Sequence, residues 1–214
     1  MAEKWNYGDA YKRHDMTGII EIGGGKLKVH NIFDPLPEFM KDADCVFCDP
    51  PCSKGNINTF YTKAERTDYQ ESYEPFVRRF FECLDEVNPK QVFIEVFKSN
   101  RVQFLDELRK RFRNVYGYAS MYYGKASNEC WILHAFNDGE IAPVPVIEGM
   151  DEENVIEHIC ENVKFDCIGD FCMGRGLVAK YAARYQRRFV GTELNYKRLA
   201  VAVERVEQEI ANHG

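Results

Sequence analysis

Two kinds of apolar pattern alternate along the chain. Residues 45–48, 90–97, 129–136, 164–170 and 187–194 are short, nearly unbroken apolar runs rich in β-branched, aromatic and cysteine residues. Runs of that length read as buried strands. Between them the apolar positions fall at helical spacing. Phe76, Phe80, Phe81 and Leu84 predict a helix over 71–87, and Phe104, Leu105 and Leu108 one over 101–113. Val155, Ile156 and Ile159 predict a helix capped by Asp151 and running to about 162. Leu199, Val203, Val206 and Ile210 predict a last helix after Asn195. Residues 19–31 read as two short strands around Gly23-Gly24-Gly25, and 115–136 as a hairpin with Tyr122 and Tyr123 at its turn. The stretch 53–70 shows no period and predicts a long polar-aromatic loop, and 138–150, with Pro143 and Pro145, a linker. Strands alternating with helices predict an α/β fold with a mostly parallel sheet.

Two of the strand ends carry candidate chemistry. The run Cys45–Cys48 stops at Asp49-Pro50-Pro51-Cys52, because a proline has no N–H to give to a ladder. Asp49 therefore sits on a stiff turn at the carboxyl end of a strand, where ligands gather in open α/β sheets. The second end is Asp170-Phe171-Cys172-Met173-Gly174-Arg175-Gly176, followed by Leu177-Val178-Ala179 opening a helix. A strand, a glycine loop and a helix in succession let the backbone approach a ligand closely. Glu193 ends the next strand about twenty residues on, where nucleotide folds place an acid for ribose hydroxyls.

Composition narrows the classes. The 214 residues suit one domain, and 45% hydrophobic with 29% charged residues is an ordinary globular balance. A net charge of −6 excludes a general polycation, so any nucleic-acid surface is a local patch. The polar start, Met1 to Met16, and the absence of a long apolar run predict a cytoplasmic protein with no membrane span. Eight cysteines raise disulfides and zinc, but Cys45 and Cys48 flank Val46 and Phe47 in a strand, where positions three apart face opposite sides. Small buried thiols are the reading, with no metal.

Taken together, Asp49-Pro50-Pro51 and DFCMGRG resemble the SAM-dependent amino methyltransferases of nucleic acids, the N6-adenine and N4-cytosine enzymes. The catalytic stretch precedes the SAM stretch, which is similar to the family's β-type permuted order. The run DFCMGRGLVAKYAARYQRRFVGTELN resembles the family's SAM-binding segment throughout. The likeness implies a Rossmann-like fold with a mostly parallel seven-stranded sheet and helices on both faces. It implies one methyltransferase domain over 1–214, with a catalytic half of about 18–137 and a SAM-binding half of about 151–214. S-adenosyl-L-methionine is the cofactor so implied. Asp170, Phe171, Cys172, Gly174, Gly176, Glu193, Leu194 and Asn195 are implied to hold it, with Ile32, Phe33 and Asp34 beside its adenine. Asp49, Pro50, Pro51 and Cys52 are implied to be catalytic: Asp49 and the Pro50 carbonyl accept the N–H groups of an exocyclic amine. The target base must leave its stack to reach them.

Two departures stand out. Cys52 takes the place of an aromatic ring that stacks on the base, and Cys172 the place of a phenylalanine. Rings, amides and cations elsewhere suit a base and its phosphates: Asn56, Asn58, Phe60 and Tyr61 in 53–70, with Tyr122 and Tyr123 across the fold. No segment is long enough for a separate target-recognition domain, so a homodimer or a partner subunit is expected. The favoured activity is methyl transfer to N6 of adenine in DNA. Cytosine N4, adenine in RNA and a catalytically silent SAM-binding subunit are the alternatives. A nicotinamide dehydrogenase shares only the glycine loop.

Overall fold

The structure is a computed structural model; it describes residues 7–125 and 127–213, with the Tyr123 side chain outside the description. After a short helix α1 (Ala10–Arg13) come β1 (Ile19–Ile22) and β2 (Gly25–Val29). β3 (Cys45–Cys48), α2 (Lys54–Lys63), α3 (Glu74–Val87), β4 (Gln91–Phe97) and α4 (Arg101–Arg109) follow. β5 (Asn114–Met121) and β6 (Glu129–Phe136) form the hairpin. The chain ends with α5 (Glu152–Asn162), β7 (Cys167–Asp170), α6 (Leu177–Arg184), β8 (Arg188–Glu193) and α7 (Tyr196–His213).

The strands form one sheet in the order β1-β2-β8-β7-β3-β4-β6-β5. The expectation of a mostly parallel seven-stranded sheet is corrected to a mixed sheet of eight strands among the described residues. β2, β8, β7, β3 and β4 run parallel, while β1 pairs antiparallel with β2, and β6 with both β4 and β5. The reason is connection length. The turns after β1 and β5 are too short for a crossover, so each returns its chain antiparallel. The turn after β1 adds a whole strand at one edge of the sheet.

Helices cover both faces, as expected. Val46 and Cys48 of β3 pack on Phe80, Leu84 and Phe104 of α3 and α4. Cys45 and Phe47 point the other way, onto Ile156, Val178 and Leu199 of α5, α6 and α7. The two cysteines of the C-x-x-C spacing thus lie on opposite faces, each fully buried. All four residues of β3 and of β7 are buried, which is why both read as continuous apolar runs.

The stretch 53–70 is corrected from a loop to a helix followed by a loop. The Ser53 hydroxyl accepts the Asn56 N–H at 3.2 Å and starts α2. Ile57 and Tyr61, one turn apart, bury its inner edge. The hydroxyls of Thr59 and Thr62 turn back onto the carbonyls of Gly55 and Asn58. Two inward residues in ten leave no helical period to read. The segment 138–150 is a strap docked along β5. The Tyr118 hydroxyl accepts the Val144 N–H at 3.0 Å, Gly149 donates to the Ala119 carbonyl at 2.8 Å, and Ile147 is fully buried. Among the described residues no helix is long and apolar enough to cross a membrane.

Candidate active site

β3 leads through α2 and α3 to β4 on one side, and β7 leads through α6 to β8 on the other. The strand order therefore reverses between β7 and β3, which are paired neighbours. Such a switch point opens a crevice beyond the strand ends. Asp49 and Asp170 stand at those two ends and line one cavity of about 990 Å³. That volume is the upper size for a small-molecule site.

The turn after β3 is clamped from two helices. Tyr73, at the start of α3, donates its hydroxyl to the Pro51 carbonyl at 2.6 Å. Asn56 of α2 accepts the Cys52 N–H at 3.2 Å. Tyr122, just after β5, donates its hydroxyl to Asp49 Oδ2 and packs on Phe97 at 5.1 Å. Burial pushes the Asp49 carboxyl up to about 6, against the Tyr122 hydrogen bond and the charge of Arg198.

On the other side of the cavity, Asp170 Oδ1 accepts the Cys172 N–H at 2.9 Å, and the Phe171 N–H meets Cys48 Sγ. Glu193 accepts the N–H of Gly174 at 2.7 Å on one oxygen and that of Asn195 at 2.9 Å on the other. It therefore anchors the glycine loop while lining the cavity. Burial pushes Asp170 up to about 7 and raises Glu193, which Arg198 opposes. Gly174 takes φ +57°, and a side chain there would meet the Arg198 guanidinium at 3.7 Å.

The residues anticipated from the sequence separate into two groups. Ile32, Asn56, Phe60, Tyr61, Tyr122, Phe171, Cys172 and Leu194 line the cavity with Asp49, Pro50, Pro51 and Cys52. The Tyr61 hydroxyl donates to Asn31 Oδ1 at 2.8 Å, and Phe60 carries the Arg198 guanidinium 4.9 Å above its ring. Other members sit outside. Asn58 is tied to the Gln70 backbone through both ends of its amide, which fixes the return of the loop. Asn195 caps α7 and reaches the Lys63 carbonyl. Phe33 packs into the core, and the Asp34 carbonyl accepts from Arg79. Gly176 faces α7: a Cβ would stand 2.4 Å from that of Ala202, so it serves helix packing. Tyr123 was anticipated too, but its side chain lies outside the described residues.

Four contributors were missed. Arg198 and Arg205 line the cavity one face-repeat apart on α7, and Arg198 Nε is buried without a hydrogen-bond partner. Glu95 on β4 and Glu152 on α5 crowd Asp49. Glu95 carried a signal in the sequence, as the one charged residue within the apolar run 91–97.

No protein-family model matches the sequence, and no curated protein matches it. Solved structures do match. The M1.HpyAVI–SAM complex superimposes at TM-score 0.56 with 15% identity, over 85% of this chain and 98% of its own. TTHA0409 of Thermus thermophilus, complexed with S-adenosyl-L-methionine, gives 0.56 and 14% over 78% and 86%. The cytosine-N4-specific PvuII DNA methyltransferase gives 0.53 and 10% over 89% and 94%. The chain has the fold of SAM-dependent DNA methyltransferases.

In this methyltransferase fold, the cavity acids set a pH dependence. Asp170 keeps its proton up to about 7 in the folded state, against an ordinary value of 3.8. Between those values the folded state binds more protons than the unfolded one. Its contribution to stability is full below about pH 4 and is lost as pH rises through 7. Asp170→Asn, which keeps an acceptor for the Cys172 N–H, is expected to gain stability relative to wild type on going from pH 5 to pH 8. Thermal unfolding of the ligand-free pair at both pH values checks this. A difference in Tm that stays constant would show that Asp170 does not titrate there.

Proposed function

We propose that the protein is a SAM-dependent methyltransferase acting on the N6 amine of adenine in DNA. The observation that carries this reading is the pairing of β3 with β7, which brings Asp49 of the Asp-Pro-Pro turn and Asp170 of the glycine-loop strand to one cavity. The fold of the matched DNA methyltransferases supports it.

The residues fit the cofactor. Asp170, Glu193 and the Gly174 backbone form an acidic cradle for a cationic ligand with ribose hydroxyls, and Arg198 Nε is an unused buried donor for its carboxylate. Bound S-adenosyl-L-methionine supplies a methyl group on a positively charged sulfur, already a good leaving group. The remaining work is positioning. An exocyclic amine shares its lone pair with the ring and is a poor nucleophile. Asp49 and the Pro50 carbonyl accept its two N–H groups, draw the nitrogen toward tetrahedral geometry and aim the lone pair. Tyr122 holds Asp49 in orientation, and Tyr73 and Asn56 hold the turn.

Cys52 offers the base no ring. Tyr61 is engaged with Asn31 and Phe60 with Arg198. The Phe97–Tyr122 pair beside Asp49 is the aromatic surface that takes over. Phe97→Ala is expected to raise the KM for DNA about five- to a hundred-fold, the equivalent of ~1–3 kcal/mol of lost stacking. SAM affinity should hold within a factor of two. Unchanged KM would remove this pair from the base site.

The test of the whole reading is incubation with tritiated SAM and separate DNA and RNA pools, then digestion to nucleosides. Label in N6-methyl-2′-deoxyadenosine of the DNA pool is expected. Label in N4-methyl-2′-deoxycytidine or in RNA would change the substrate, and no label in any pool would favour a silent subunit.

A further inference from the structure

Asp49 is one corner of a group of three carboxylates, one buried and two half-buried, that come from three separate elements. The others are Glu95 on β4 and Glu152 in the first turn of α5, and an oxygen of each lies within 4.8 Å of the other two. Glu95 is 1% exposed. Its Oε1 accepts from Cys130 Sγ at 2.9 Å, while its Oε2 is buried with no hydrogen-bond partner. Glu152 lines the cavity, so the group connects a sealed interior position to the open cleft through Asp49.

Three negative charges at that separation, out of water, repel by more than a fold of this size tolerates, so the group retains protons. The charged and titratable neighbours do not supply the compensation. Tyr122 donates to Asp49 from the β5 side. Asp151 and Glu153 at the start of α5 and Asp170 at the end of β7 raise the group further. Arg198 of α7 is a cation that acts on Asp49.

We propose that Glu95 and Glu152 are positioning residues that share protons with Asp49, and that Glu152 is the exit for the proton shed by the methylated amine. This rests on the methyltransferase reading of the site. The nitrogen bonds the methyl carbon as the carbon–sulfur bond of the sulfonium donor breaks, leaving its electron pair on sulfur, and the nitrogen becomes a cation. Its N–H bond breaks as an O–H bond forms on Asp49, and the proton then passes to Glu152 and to water in the cleft. Glu95 has no route to solvent and is the fixed member of the group, raised by burial and by the charge of Asp49. Burial and the Asp49 charge push Glu152 up to about 8, which suits a group that receives and releases a proton near neutral pH.

The experiment is a pH titration of the ligand-free protein, with side-chain carboxyls labelled in 13C and followed by NMR. In Asp49→Asn the Glu152 resonance is expected to titrate about one pH unit lower than in wild type, because the like charge that raises it has been removed. Glu152→Gln should also show a larger solvent deuterium effect on turnover than Glu95→Gln. Replacement by an isosteric amide with a merely structural effect would change rates without moving the Glu152 titration. The inference is overturned if Glu152 titrates at an ordinary carboxylate pH in wild type. It is overturned equally if Mn2+ binds the wild-type group at micromolar concentration by electron paramagnetic resonance, since a cation would then replace the shared protons. Absence of any methylation by wild type would count against the function, while the titration of the ligand-free protein would still decide the cluster.

Discussion

Asp49→Ala is expected to lower turnover at least a thousand-fold while SAM affinity stays within a few-fold. On the proposed mechanism the substitution removes the acceptor that fixes the amine and receives its proton, and loss of one preorganised partner of a developing charge costs roughly 10²–10³ in rate on its own. Proton acceptance adds a comparable factor. It also removes the acceptor of the Tyr122 hydroxyl, so the aromatic pair beside it loses its tether. The proposed cofactor contacts, at Asp170, Gly174 and Glu193, lie across the cavity and are untouched. Single-turnover rates with calorimetry on the same preparation separate the two effects. A variant keeping more than a tenth of wild-type turnover would sink the catalytic role.

Glu193→Ala is expected to weaken SAM binding about a hundred-fold or more. Both carboxylate oxygens accept backbone N–H groups, from Gly174 and Asn195. Hydrogen bonds to a charged group contribute about 1.5–3 kcal/mol each, and a buried donor left without a partner carries its own penalty. The glycine loop loses its anchor as the ribose loses its proposed acceptor, so the effect exceeds that of a contact residue alone. Calorimetry reads it directly, and an affinity equal to wild type would take Glu193 out of the site.

The sequence made the two strand ends legible because their chemistry is local. Asp49 is followed by prolines that must end a strand, and Asp170 by glycines that must form a tight loop. Alternating apolar runs likewise placed the strands of the central sheet to within a few residues. What stayed hidden depends on partners far along the chain. α2 buries only Ile57 and Tyr61, so its polar composition imitates a loop until the cavity they line exists. The strap over 138–150 has the composition of a linker, and only β5 beneath it gives Tyr118 and Ala119 to bind. Arg198 and Arg205 lie beside the apolar stripe of α7, and nothing in the stripe tells that their side faces a cleft. Glu152 looks like ordinary first-turn acid on a helix and gains its character from Asp49, more than a hundred residues earlier.

The strand order has a consequence for biosynthesis. β7 and β8 are made last and enter the sheet between β2 and β3, which are made first. From the end of β3 to the start of β7 the ribosome adds 167 − 48 = 119 residues. At roughly 5–20 residues per second that is about 6–24 s during which β3 presents an unpaired apolar edge. The nascent chain is therefore open to strand-to-strand association for that interval. The same order means that a chain released before β7 lacks Asp170 beside Asp49, and with it the crevice between the two acids.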